Sequence, residues 1–192
     1  MSDNTKRLVS SRASRLLKIV FIVLAVLAAV VVMYPLYPAV QYQVGWVRRA
    51  DHLPSLQNSE PPAENRLVIP KIGVDTQIVE GKTEATLYKG VWRVPSGSTP
   101  DVGSNTVLTG HRFQYRPPNN TTFYLLDKLT VGDEVIVFWN QVKYQYKVTE
   151  TKVVANNDFS IQSATSDPRL TLYTCTPLFS TAKRLVVIAV PI

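Results

Sequence analysis

The sequence predicts a mostly β domain, a mostly antiparallel barrel of about eight strands carried behind one long apolar helix. Three observations predict it. From Arg66 onward the chain breaks into strand-length runs rich in Val, Ile, Thr and Tyr, separated by turn residues. Between those runs there is little room for crossover helices. Ahead of them, residues 19–34 run IVFIVLAVLAAVVVMY without a single charge.

Residues 1–18 form a basic tail, with Lys6, Arg7, Arg12, Arg15 and Lys18 against Asp3 alone. That tail accounts for +4 of the formal net charge of +7. The rest holds no dense Lys/Arg stripe and no basic run interleaved with aromatics, which argues against a nucleic-acid partner. The charge is instead a topology signal.

Residues 19–40 reach the roughly 20 residues a helix needs to cross the hydrocarbon core. Tyr34, Tyr37, Tyr42 and Trp46 follow as an interfacial aromatic belt would, and Pro35 and Pro38 mark where the helix should fray. The basic tail keeps the N-terminus in the cytoplasm and places the remainder outside the cell. The apolar core is longer than the 7–15 or so residues of a secretory signal, and bulky Met33, Tyr34, Leu36 and Tyr37 stand where a cleavage site would need small residues. An uncleaved single-pass anchor is the expectation.

Residues 41–65 lack sustained periodicity and end in a polar, proline-containing run, as a juxtamembrane stalk would, with a short helix near 41–50. His52 lies in this stalk, where nothing fixes its position. Strand-length runs then follow at 67–69, 76–79, 91–94, 105–109, 134–139, 142–154, 170–174 and 185–190, and the one helix-like stretch is 123–129 (FYLLDKL). A folded domain over 66–192 is expected.

The chain has one cysteine, Cys175, so it can form no internal disulfide and no Cys-x-x-Cys metal knuckle. A lone thiol is commonly a small buried hydrophobe. Outside the cell, however, an unpaired thiol is a liability unless it has a task. Cys175 closes the apolar run 170–174, His111 follows the run 105–109 through Gly110, and Arg184 opens the run 185–190. A thiol attacks as the thiolate and needs a nearby base or cation. A guanidinium stays charged and can stabilise an oxyanion, and an imidazole can pass a proton to a departing amine. Three strand ends on a small barrel can converge on one rim. Both an imidazolium–thiolate pair and a neutral pair fit these residues.

With these residues in view the chain resembles the sortase family of membrane-anchored cysteine transpeptidases. Thr171-Leu172-Tyr173-Thr174-Cys175 matches its Thr-Leu-x-Thr-Cys signature, Gly110-His111 its histidine motif, and Arg184 lies in the following strand. Ile69-Pro70-Lys71-Ile72-Gly73-Val74 looks like its opening strand. The resemblance implies an eight-stranded sortase-type barrel with short helices and the catalytic set His111, Cys175 and Arg184. It also implies that Thr174 borders the substrate groove. The activity implied is cleavage of a Leu-Pro-x-Thr-Gly-type sorting signal between Thr and Gly through a thioester on Cys175. The acyl group then passes to an amine of a cell-wall precursor or to a pilin lysine. Implied partners are surface proteins bearing the sorting motif, the amine acceptor and the membrane; no cofactor and no metal is assigned. Thr174-Cys175-Thr176-Pro177 and Arg184-Leu185 resemble pilin-type members. The Gly110-His111-Arg112 run, the missing Asp-Pro-aromatic lid and the compact C-terminus look closer to the class D/E-like group, so protein anchoring is expected over pilus assembly. A tethered, catalytically silent module that only binds sorting signals is the reading from another class.

Overall fold

The computed structural model describes residues 3–43, 60–114 and 123–192. Two compact units emerge, Met1–Val40 and Gln41–Ile192. Residues 44–59, with His52 and most of the expected stalk, lie outside the described residues.

Helix α1 spans Asp3–Gln43 and contains an apolar stretch, Arg15–Tyr34, of mean hydropathy 3.1. Every residue of that stretch is exposed. The expected fraying at Pro35 and Pro38 does not occur, because the helix continues through both. Each proline removes one N–H donor, while its neighbours still find their best hydrogen-bond partners along the same helix.

The second unit is a closed barrel. Its strands are β1 (Arg66–Ile69), β2 (Val74–Glu80), β3 (Val91–Arg93), β4 (Asn105–Thr109), β5 (Glu134–Trp139), β6 (Val142–Ala155), β7 (Arg169–Thr176) and β8 (Lys183–Pro191). They pair in the order β1-β2-β3-β4-β7-β8-β6-β5, with β5 returning to β1. The pairing is antiparallel except at β2–β3 and β4–β7, which run parallel. A parallel neighbour needs a crossover. Between β2 and β3 it carries a 3-10 turn at Glu84–Tyr88, and between β4 and β7 it carries the whole β5–β6 hairpin and a 3-10 turn at Phe159–Gln162.

The interior holds Leu67, Ile69, Leu108, Val135, Val137, Leu170, Leu172 and Val187, all fully buried. The stretch 123–129 corrects the expected helix: only Leu126–Lys128 forms a 3-10 turn. Phe123, Tyr124, Leu125 and Leu126 are all buried in that same interior. Four successive inward side chains cannot lie on the single apolar face of an α-helix, so the chain twists to plug the barrel instead. On the outside of the barrel, Trp92, Val94 and Val107 pack with Leu87 and Tyr173, while Ile161, Val186 and Ile188 pack with Val154 and Tyr173. The two 3-10 turns are thereby fastened over β3, β4, β7 and β8, and a groove is left between them.

Candidate active site

Parallel register brings the thiol and the imidazole to one level. Thr109 of β4 is the register partner of Tyr173 of β7. His111 stands two residues beyond the first and Cys175 two beyond the second. Cys175 in turn is the register partner of Arg184 across β7–β8. Directly opposed residues of an antiparallel pair share a face, so sulfur and guanidinium project from the same side. Cys175 lies within β7, which runs on to Thr176, rather than past the strand's end, and Lys183 rather than Arg184 opens β8.

His111, Cys175 and Arg184 all line one groove of about 330 Å³, together with Glu84, Trp92, Phe159 and Tyr173. Cys175 is a free thiol and only half-buried. Two short ties hold the floor. Thr109 Oγ1 donates to the Tyr173 carbonyl at 2.9 Å, and Thr174 Oγ1 donates to the Gly110 carbonyl at 2.7 Å. Thr174 lines the groove but is buried, and its hydroxyl is spent on that carbonyl.

Gly110 sits close against the interior plug. Its φ lies outside the left-handed region, but a Cβ there would sit 3.1 Å from the ring of buried Phe123. Phe123 also donates its backbone N–H to the His111 carbonyl at 2.9 Å, so the histidine turn rests against the interior plug.

Burial lowers the His111 pKa below the ordinary imidazole value. The Tyr88 ring stands over it, centroid to centroid 5.3 Å and tilted by 54°. Burial also raises the pKa of Tyr173, whose hydroxyl accepts from Gln162 Nε2 at 3.2 Å. Arg184 Nη1 donates to the carbonyls of Thr181 at 3.0 Å and Lys183 at 3.2 Å, so its own loop holds the guanidinium. Among the described residues, no group of three or more His, Cys, Asp or Glu is placed to hold a metal ion.

The sequence reading noted Arg112 only within the Gly110-His111-Arg112 run and gave it no role at the site. Arg112, directly after His111, is 5% exposed. Its Nη2 pairs with Asp127 Oδ1 at 3.0 Å, and its Nη1 donates to Thr176 Oγ1 at 2.7 Å and to the Cys175 carbonyl at 3.4 Å. The only sequence signal was its place beside the histidine.

A small closed barrel with thiol, imidazole and guanidinium on one groove defines a narrow architectural class. The Sortase domain family model matches residues 67–192, and the chain belongs to the sortase family. It is 33% identical over 116 residues to Sortase D of Bacillus subtilis (strain 168), covering 60% of this chain and 55% of that protein. The chain spans about half the length of the curated relatives it matches. Among solved structures it is similar to Sortase C1 of GBS Pilus Island 1, with a TM-score of 0.60 and 32% identity over 68% of this chain and 64% of that one. It is also similar to the Clostridium perfringens Sortase D5 transpeptidase, with a TM-score of 0.59 and 25% identity over 79% of this chain and 94% of that one.

Proposed function

We propose that this chain is a membrane-anchored cysteine transpeptidase that cleaves a Leu-Pro-x-Thr-Gly-type sorting signal between Thr and Gly and passes the acyl group to a cell-wall amine. Residues 1–18 are its cytoplasmic tail, 19–40 its single anchor, 41–65 its stalk and 66–192 its catalytic domain outside the cell. The observation that carries this reading is the shared lining of one groove by Cys175, His111 and Arg184.

The sulfur of Cys175 attacks the threonine carbonyl, forming the C–S bond while the carbonyl electron pair moves onto oxygen. Arg184 stabilises that oxyanion by donating to it. Partial burial lowers the pKa of His111 and so favours its neutral imidazole. The imidazole takes the thiol proton during attack and hands it to the departing glycine amine as the C–N bond breaks. The incoming amine then attacks the thioester and loses a proton to His111, and as the C–S bond breaks that proton returns to the released sulfur.

The test uses the full chain in detergent micelles with labelled Leu-x-x-Thr-Gly peptides and a panel of amine acceptors. Acyl-enzyme is read by intact mass and transpeptidation by chromatography. Cys175→Ala should abolish the adduct, and Arg184→Ala should lower turnover about 10²–10³-fold with an unchanged fold. Undiminished transpeptidation by Cys175→Ala would defeat the assignment. A tethered binding module would bind peptide without ever forming the adduct.

A second reading, a pilin-polymerising enzyme, is favoured by the similarity to the pilus-island sortase C1. Peptides carrying a lysine side-chain amine separate it from wall anchoring, for which a cross-bridge or stem-peptide amine is the better acceptor.

A further inference from the structure

Arg112 joins three stretches of chain through one buried guanidinium. It sits next to His111, it donates to the backbone carbonyl of Cys175 and to the hydroxyl of Thr176, and it reaches the plug of the barrel through Asp127 and the Tyr124 carbonyl, the last at 3.5 Å. A planar fork of donors can serve several acceptors at fixed angles, which a lysine ammonium on a flexible stem cannot. A 5%-exposed cation is costly to bury, and its partial compensation by the half-exposed Asp127 shows that the fold keeps the charge in place.

The strand register brings His111 and Cys175 to one level, but no β-ladder hydrogen bond spans them, because β4 ends at Thr109. Beyond that point the guanidinium of Arg112 bridges the two segments, alongside the Thr174–Gly110 tie. We infer that Arg112, braced by Asp127, is a positioning residue that sets the spacing between the His111 imidazole and the Cys175 sulfur. The inference rests on the transpeptidase reading for its consequence in turnover, but not for its effect on the thiol.

Arg112→Lys and Asp127→Asn in the full-length protein in micelles provide the test, with Cys175 alkylation by iodoacetamide across pH 5–9 as the first readout. The second-order alkylation rate at pH 7 should fall about tenfold in Arg112→Lys and about threefold in Asp127→Asn, with a changed pH profile. In peptide turnover, kcat should fall by a similar factor while KM moves less than about threefold. A purely structural role would lower the melting temperature and leave the alkylation profile of the folded fraction in place. Asp127→Asn keeps the guanidinium and its other contacts, so it decides the matter if Arg112→Lys does not fold. Alkylation and kcat within twofold of the parent in Asp127→Asn, or in a folded Arg112→Lys, would overturn the inference. If no peptide is turned over by the parent protein yet the variants still alter alkylation, the inference stands and the transpeptidase reading falls.

Discussion

Burial holds His111 below the ordinary imidazole range, and that direction fixes how it couples pH to stability. An unfolded histidine titrates near 6.5. Between that value and the lower folded pKa, the unfolded chain binds the proton more readily than the folded one, so stability rises with pH through the window and is lost as pH falls. Above about 6.5 both states are neutral and His111 contributes no slope. His111→Gln should therefore show a flatter dependence of the denaturation midpoint between pH 7.5 and 5.5, gaining on the parent as the solution becomes acidic. Parallel curves would show that the imidazole is not desolvated. Cys175, His111 and Arg184 drew notice as reactive residue types at the ends of apolar runs, and all three line one groove. Arg112 was given no role. Its guanidinium pairs with Asp127, fifteen residues on in the sequence, and no local pattern marks an arginine as interior.

At the scale of elements, the groove depends on how the turn at Phe159–Gln162 is fastened. Asn105, at the start of β4, is fully buried, and its Nδ2 donates to the carbonyls of Ile161 at 3.0 Å and Ser163 at 2.9 Å. Its Oδ1 accepts from the hydroxyl of Thr171 on β7 at 2.7 Å. One side chain thus joins two strands of the barrel to the turn that carries Phe159, Ile161 and Gln162 into the groove. Asn105→Leu leaves a buried hydroxyl and two carbonyls without this partner, at a cost of about 2–4 kcal/mol. Chemical denaturation should read that loss, and peptide KM should rise as the turn loosens. An unchanged midpoint would mean that water replaces the amide. All eight strand runs fall within two residues of their expected bounds, because alternation and turn chemistry are local signals. The stretch 123–129 does not, since its apolar residues suit a helix face as readily as a plug. Only the barrel around them decides that all of Phe123 to Leu126 turn inward.

Across the whole molecule, a closed barrel was legible from strand count and spacing, but the two parallel pairings were not. Register between β4 and β7 is set by packing across more than sixty residues, and it is this pairing that levels His111 with Cys175. Helix α1 poses the remaining question of scale. Its stretch Arg15–Tyr34, of mean hydropathy 3.1, is long and apolar enough to cross a membrane, and the proposed cytoplasmic N-terminus rests on the five basic residues of the tail. The single thiol makes that orientation measurable without engineering a reporter. A membrane-impermeant maleimide should label Cys175 in intact cells to roughly the extent seen after lysis, with Cys175→Ala as the blank, since Cys175 is half-buried in an open groove. On the proposed anchor reading the mass of the purified chain should still include residues 1–40, and a mass lacking them would mean a removed leader instead. Labelling confined to lysed cells would place the groove on the cytoplasmic side, out of reach of exported surface proteins and their wall acceptors, and would remove the basis for an anchoring role.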